Sequence, residues 1–203
     1  MAAQAFDEAF ERVARSITDC GRMPGYPFYE HFIYASNYRL SEWQGAVLNV
    51  QLARMDAQTA LRHHNACYLD AILREIEGIT PQRIDDRCTR NGHYLYMFHY
   101  DRSAFKGVPT ERFIEAINAE GIPVQATYPP LSALKVFSNG TYKKRIPPGM
   151  PDDALRHAPF PNSERIMREV ICLPHATLMG SETDLQEIGA AIRKVQEHAA
   201  ELM

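Results

Sequence analysis

The sequence lacks several patterns that mark particular classes of protein. No apolar run approaches the roughly 18 residues that span a membrane, and the N-terminal residues do not form a secretory signal. Basic and acidic residues are interleaved and the net charge is −3, so no basic patch for nucleic acid stands out. These absences predict a cytoplasmic protein that binds neither membranes nor nucleic acid.

Cysteine, histidine and lysine are arranged in ways that exclude further classes. The four cysteines include no Cys-x-x-Cys pair, and the eight histidines show no metal-ligand spacing, so we expect neither a disulfide framework nor a metal site. Lysine is scarce. There are five, all in the second half of the chain: Lys106, Lys135, Lys143, Lys144 and Lys194.

Helical patterns dominate the first part of the chain. Apolar residues at helical spacing predict a helix from Gln4 to Asp19, and no proline occurs between Ser41 and about Arg74. Ser41 and Gln44 have the spacing of a capping box, which predicts that a long helix begins there. This helix is too long for a compact core and is interpreted as a spine between two parts of a larger body, with a possible break near Asp56.

The pattern changes to short strands and helices after Gly78. The segments 79–84, 94–100, 122–128 and 170–173 are predicted strands, with 94–100 central because it is apolar on both faces. A final helix is predicted over 183–202. The fold class is therefore α+β, a mainly antiparallel sheet with helices on one face. We expect three parts: residues 1–40, a long helix over 41–76, and a small domain over 77–203.

A loop with potential binding chemistry precedes the long helix. Asn37, Tyr38 and Arg39 offer an amide, an aromatic ring and a fixed positive charge beside a helix N-terminus, an arrangement that suits an anionic ligand. The alternative is an ordinary helix entry, in which these side chains only cap and pack.

Several motifs together resemble the DegT/StrS family of aminotransferases, which use pyridoxal phosphate (PLP) and act on sugars or cyclitols. The motifs that carry the resemblance are Gly21-Arg22-x-Pro24-Gly25, Asn37-Tyr38-Arg39-Leu40-Ser41-Glu42-x-Gln44, Leu95-Tyr96-x-Phe98 and Tyr128-Pro129-Pro130-Leu131. The resemblance implies the C-terminal part of an aspartate aminotransferase-like fold of type I, with the long spine helix and the small domain.

The resemblance also implies site residues. Asn37, with Arg39 beside it, would contact the phosphate of PLP bound by a partner subunit, and Tyr38 and Tyr128 would lie on the substrate side. For Tyr128 the alternative is a turn aromatic at the edge of the sheet. Two positions depart from the family pattern: Tyr94 stands where many relatives have histidine, and Ser132 follows the Tyr-Pro-Pro-Leu turn.

The Schiff-base lysine of the family is not recognisable among the five lysines. The resemblance therefore implies that this sequence has no catalytic residue of its own, does not hold PLP tightly and is inactive alone. Its partner would be a second copy, a full-length relative or a separately encoded N-terminal half. The alternatives are a non-catalytic partner-binding module and a truncated gene product.

Overall fold

The computed structural model describes residues 7–23, 25–27, 30–130, 133–134 and 160–203. Contacts divide the chain into two compact units, Met1–Asp56 and Ala57–Met203. Pro24, Leu131 and Ser132, which belong to the motif segments above, lie outside the described residues.

The first unit is built around helix α1 (Glu8–Thr18) and the loop that follows it. The Asp7 side chain caps α1 by accepting a hydrogen bond from the backbone N–H of Ala9 at 2.8 Å. After α1 the chain runs antiparallel to itself, with bridges between Asp19 and Asn37 and between Arg22 and His31. The predicted helix over residues 4–19 is thus confirmed from Glu8 onward.

The predicted long helix is present as α2 (Glu42–Arg74), with 33 residues and no break at Asp56. The capping box is also confirmed. Gln44 Oε1 accepts a hydrogen bond from the backbone N–H of Ser41 at 2.9 Å, and Ser41 Oγ accepts one from the backbone N–H of Gln44 at 3.4 Å.

The second unit contains an antiparallel sheet with the order β1-β2-β4-β3 in the part of the chain described. Its strands are β1 (Ile79–Pro81), β2 (Leu95–Tyr100), β3 (Gln125–Ala126) and β4 (Val170–Pro174). Strand β2 is central, as predicted, and pairs with β4 through Tyr96 opposite Leu173 and Phe98 opposite Ile171.

Helices pack on one face of this sheet. They are the C-terminal part of α2, α3 (Thr110–Ala119) and α5 (Glu182–Glu197); α4 (Pro161–Glu169) leads into β4 and has no buried residue. The alternate residues Tyr96, Phe98 and Tyr100 of β2 enter the same apolar cluster as Leu69 of α2 and Phe113 of α3. Each large side chain buried in this way contributes roughly 1.5–3 kcal/mol. The α+β class is confirmed.

Some element boundaries differ from the sequence expectations. The third strand is only two residues long, and α5 ends at Glu197, after which Ala199–Leu202 form a 3-10 turn. Strand β1 ends at Pro81, which lies opposite Phe98 on the edge of the sheet, and the backbone N–H of Gln82 still donates to the Met97 carbonyl at 3.0 Å. Among the described residues, no helix has both the length and the apolar character needed to cross a membrane.

Candidate functional site

The Asn-Tyr-Arg loop is held against the C-terminal end of α1 by backbone hydrogen bonds. The backbone N–H of Tyr38 donates to the Thr18 carbonyl at 2.9 Å, and that of Cys20 donates to the Ser36 carbonyl at 3.1 Å. Asn37 lies opposite Asp19 in this short antiparallel pairing. The backbone therefore fixes the place of the loop within the first unit.

Asn37 and Arg39 are directly bonded to each other. Asn37 Oδ1 accepts hydrogen bonds from Arg39 Nε at 3.0 Å and from the Arg39 backbone N–H at 3.3 Å. The side-chain oxygen of Asn37 accepts both bonds from Arg39. Its side-chain nitrogen is a hydrogen-bond donor and is the group that can bind an anionic ligand. The pair thus presents an N–H donor beside a guanidinium.

Asp19 is shared by two arginines. Its Oδ1 lies 3.3 Å from Arg39 Nη1 and 3.4 Å from Arg22 Nη1. Both pairs are partly exposed, and such pairs contribute about 0–1 kcal/mol each to stability. Asp19 therefore holds the guanidinium groups of Arg22 and Arg39 beside the same carboxylate oxygen, and all three residues line one cleft.

A cleft of about 330 Å³ lies beside these arginines in the first unit. Among the described residues that line it, Arg15, Arg22 and Arg39 are basic and Asp19 is acidic. Arg15 is also paired with Glu11 on α1, at 2.8 Å. Guanidinium groups that converge on one cleft favour an anion with several oxygens, such as a phosphate or a carboxylate.

Tyr38 and Tyr128 are both exposed, with 66% and 67% of their surface accessible. Tyr128 belongs to the second unit, where hydrogen bonding with the Tyr94 hydroxyl raises the pKa of Tyr128. The ring of Tyr94 stacks with that of His175 at 6.5 Å between centroids. Tyr128 therefore belongs to an exposed aromatic group at the end of the sheet, and Tyr38 to the loop of the first unit.

Sequence reasoning missed three charged residues of the cleft, Arg15, Asp19 and Arg22. Arg22 belongs to the Gly-Arg-x-Pro-Gly motif, but the motif alone assigns it no role. The role of Asp19 depends on antiparallel pairing across 18 positions, which helical periodicity does not indicate. Arg15 lies one turn before the end of α1. The predicted end of this helix is the signal that could have placed Arg15 near the loop.

PLP would need an amine as well as a phosphate site, and the described residues supply only part of this. The first unit contains no lysine. Of the described lysines, Lys194 donates to both carboxylate oxygens of Glu120, at 2.7 and 2.8 Å, and Lys106 lies in a left-handed turn after a 3-10 helix. The arginine cleft suits an anionic group, whereas the described residues do not fit the whole cofactor.

The fold is similar to the C-terminal part of the PLP-dependent aminotransferases of fold type I. A crystal structure of 3-amino-5-hydroxybenzoic acid synthase matches 92% of this chain with a TM-score of 0.73 and 28% identity, over 47% of that chain. The chain belongs to the DegT/DnrJ/EryC1/StrS aminotransferase family, whose family model matches residues 4–193.

Curated relatives point to the same family. L-glutamine:2-deoxy-scyllo-inosose aminotransferase of Streptoalloteichus tenebrarius is 36% identical over 180 residues, which cover 84% of this chain and 41% of the relative. A putative L-glutamine:3-amino-2,3-dideoxy-scyllo-inosose aminotransferase of Streptomyces kanamyceticus is 33% identical, over 98% of this chain and 49% of the relative. The chain thus spans less than half the length of these relatives.

Proposed function

We propose that this chain forms the C-terminal part of a PLP-dependent aminotransferase that acts on a cyclitol or sugar ketone in amino-sugar or antibiotic biosynthesis. The cleft beside Arg22 and Arg39 is the observation that carries the proposal, because it offers converging guanidinium groups on the loop that the family motif marks. Family membership and the cyclitol aminotransferases among the relatives support the substrate class. The cytoplasmic location expected from the sequence is part of the same proposal.

In this proposal Asn37 and Arg39 hold the cofactor phosphate of a partner subunit. The Arg39 guanidinium is preoriented by Asn37 Oδ1 and Asp19 Oδ1, so little side-chain entropy remains to be lost when a phosphate arrives. Each charge-assisted hydrogen bond contributes roughly 1.5–3 kcal/mol. Two or three of them fall short of the ~8 kcal/mol of micromolar affinity once the costs of association are subtracted.

The remaining contacts and the cofactor-binding lysine would come from residues outside this sequence. PLP supplies an electron sink for the transfer of the amino group when it is bound. The chain's own residues would orient the phosphate through Asn37 and Arg39 and border the substrate through Tyr38 and Tyr128. The partner would be a dimer mate, a full-length relative or a separately encoded N-terminal half, and the three-part division at residues 40 and 76 remains a prediction.

A second candidate is a partner-binding module without catalysis. Residues 42–55 of α2 expose apolar side chains on two opposite sides of the helix: Trp43, Val47 and Val50 on one, and Leu48, Leu52 and Met55 on the other. A helix segment that is apolar on both sides is normally covered by other protein. Both candidates predict a partner, but only the first predicts activity in its presence.

The test is to co-express this chain with the lysine-bearing N-terminal half of a cyclitol aminotransferase and to purify the complex. Bound PLP is measured by its visible absorbance, and amino transfer is measured from L-glutamine to 2-deoxy-scyllo-inosose. We expect the complex to retain PLP and to transfer the amino group. Asn37→Asp should weaken PLP retention at least tenfold, because it places a carboxylate beside the phosphate.

The matched control is Asn162→Asp, an exposed position on α4 in the second unit, which should leave PLP retention unchanged. A complex that forms but neither retains PLP nor transfers the amino group would contradict the aminotransferase proposal and favour the binding module. Equal retention in the Asn37 and Asn162 variants would remove the phosphate role of Asn37.

A further inference from the structure

A second cavity, of about 430 Å³, lies within the second unit, between the C-terminal part of α2 and the segment that joins β1 to β2. Two of the residues that line it are cysteines, Cys67 on α2 and Cys88 on the joining segment. We call it the cysteine cavity. Neither cysteine has a role in the function proposed above.

Cys67 and Cys88 differ from the other two cysteines of the chain. Both are free thiols and both are exposed. Cys172 is buried, and its burial raises the pKa of the thiol, which keeps it in the unreactive protonated form. Cys20 belongs to the first unit. Exposure and a shared cavity therefore single out Cys67 and Cys88 as thiols that one small molecule can reach.

An imidazole lies beside the thiol of Cys67. His63 is one turn earlier on α2, and its Nε2 lies 4.0 Å from Cys67 Sγ. Residues four positions apart share one side of a helix, and both of these line the cavity. A thiolate, and not a thiol, attacks a disulfide bond, and a neighbouring imidazole can take the proton that the thiol loses. Cys67 is therefore the thiol that reacts first.

Cys88 lies in a turn that is held together locally. The backbone N–H of Cys88 donates to the Asp85 carbonyl at 2.8 Å, and the backbone N–H of Arg87 donates to Asp85 Oδ1 at 2.9 Å. The Cα atoms of a disulfide lie within about 7 Å of each other. Because both hydrogen bonds are made within the turn, they persist when the turn approaches α2. Cys88 can thus reach Cys67 without a change in the pairing of β1 and β2.

His93 gives the same cavity a polar group that lacks a partner. It is 7% exposed, and its Nε2 has no hydrogen-bond partner among the described residues. Its ring centroid lies 6.1 Å from that of His63. A polar molecule that enters the cavity can supply the missing hydrogen bond. The amide groups of a peptide thiol such as glutathione have this chemistry.

We infer that Cys67 and Cys88 are a reversible redox pair, in which oxidised glutathione converts the two thiols into one intramolecular disulfide. Cys67 passes its proton to His63, and its sulfur attacks one sulfur of the glutathione disulfide. The bond between the two glutathione sulfurs breaks, and one glutathione leaves as a thiolate that takes up a proton.

The second step resolves the mixed disulfide. The Cys88 thiol loses its proton to solvent, and its sulfur attacks Cys67 Sγ. The bond to glutathione breaks, and the second glutathione leaves as a thiolate and is protonated. Two thiols of the chain are oxidised and one glutathione disulfide is reduced to two thiols. The state of the pair follows the ratio of oxidised to reduced glutathione, which distinguishes it from a structural disulfide.

The experiment uses the full chain, reduced and then incubated with oxidised glutathione. Free thiols are counted after denaturation, and tryptic peptides are mapped without reduction. Trypsin separates the two cysteines, because Arg74, Arg83 and Arg87 lie between them. We expect the loss of two thiols per chain, a linked pair of peptides that contain Cys67 and Cys88, and full reversal by dithiothreitol.

Variants separate the two steps. Cys67→Ser should abolish the linked peptides, and Cys88→Ser should stop the reaction at a stable glutathione adduct on Cys67. Cys20→Ser is the matched control and should leave the link unchanged. In the Cys88→Ser chain, His63→Gln should slow formation of the adduct at least about fivefold. His64→Gln is the control for it, because the next residue points about 100° away around the helix.

Four results would overturn the inference. The first is no loss of thiols at Cys67 and Cys88. The second is a glutathione adduct that persists on Cys67 in the unmodified chain, which would show that Cys88 does not resolve it. The third is a disulfide between two chains, seen as a covalent dimer on a non-reducing gel. The fourth is an equal rate in the His63 and His64 variants, which would remove His63 from the first step.

Discussion

A Cβ atom placed on Gly21 would lie 2.0 Å from the carbonyl oxygen of Ile33. Gly21 also has φ of +84°, a conformation that side chains disfavour. Its N–H donates to the Ser16 carbonyl at 2.7 Å, and its carbonyl accepts from the N–H of Phe32 at 2.8 Å. The end of α1 and the segment that carries Asn37 therefore approach each other through a residue without a side chain.

Gly21→Ala should destabilise the first unit by about 2–4 kcal/mol, from left-handed strain together with the backbone overlap. Gly25→Ala is the matched control, because Gly25 has φ of +88° but, apart from its chain neighbours, no atom of the described residues lies within 4 Å of its Cβ position. The Gly25→Ala variant should lose only about 1 kcal/mol in the free energy of unfolding. Amide exchange over residues 16–38 is the measurement. Similar protection in the two variants would show that the close contact with Ile33 does not determine the stability of this loop.

Arg39→Lys tests the geometry of the arginine cleft. Lysine keeps the charge but cannot donate from both Nε to Asn37 and Nη1 to Asp19, the two contacts that orient the guanidinium. In the co-expressed complex we expect PLP to be retained roughly tenfold less well, a loss of about 1.4 kcal/mol. Arg12→Lys on α1 is the control and should behave as the unmodified chain. Full retention of PLP by the Arg39→Lys variant would mean that charge alone suffices.

The fold could be predicted from sequence where a long pattern repeats. Helix α2 and strand β2 were predicted nearly to the residue, because 33 residues without proline and a run of apolar residues leave little choice. Strand β3 was predicted too long because its ends depend on pairing with β4, which involves only Gln125 and Ala126. Tertiary pairing, and not local propensity, sets such boundaries.

The candidate site was predictable only in part. Asn37 and Arg39 followed from the motif, but the carboxylate that orients Arg39 is Asp19, and no periodicity joins two positions across an antiparallel loop. His93 precedes a predicted strand, and its position in the strand pattern does not indicate that it lines a cavity. The structure places it in a cavity with a left-handed backbone, which a strand register does not anticipate.

Tyr96→Phe tests the buried hydrogen bond to Asp70. We expect a loss of about 1–2 kcal/mol in the free energy of unfolding, because Asp70 Oδ1 loses a buried donor. Tyr68→Phe is the matched control on α2, since its hydroxyl accepts from Gln186 at an exposed position, and it should change stability by less than about 0.5 kcal/mol. Chemical denaturation of both variants measures the difference. Equal losses of stability in the two variants would mean that the buried hydrogen bond to Asp70 contributes no more than the exposed one between Gln186 and Tyr68.

His93 predicts a loss of stability at acid pH. Burial lowers the pKa of His93 below 6.5, and the charges of His63 and Arg62 lower it further against the opposing effect of Asp70. The pKa of His93 is therefore lower in the folded chain than in the unfolded chain. Its contribution to the free energy of unfolding is fully present above pH 6.5 and is lost as the pH falls through the pKa of the folded state. His93→Asn should flatten the loss of stability below the ordinary histidine pKa. His64→Asn, at an exposed position beside Glu182, should not. Parallel acid unfolding curves for the two variants would exclude His93 as the source.

The exposed apolar side chains of α2 predict association. Trp43 is 85% exposed, and Val47 and Val50 follow it on the same side of the helix. Apolar surface of this kind is normally covered in an assembly. The purified chain should therefore show concentration-dependent association in sedimentation velocity experiments, and Trp43→Glu should weaken it at least tenfold, because a carboxylate would have to be desolvated in the contact.

The matched control for Trp43 is Tyr34→Glu, which changes a fully exposed aromatic residue of the first unit that lies outside α2. It alters the net charge by the same amount and should leave association unchanged. If both variants weaken association equally, general charge repulsion explains the effect. If the unmodified chain stays monomeric at all concentrations, the apolar sides of α2 do not drive self-association, and a different polypeptide is required to cover them.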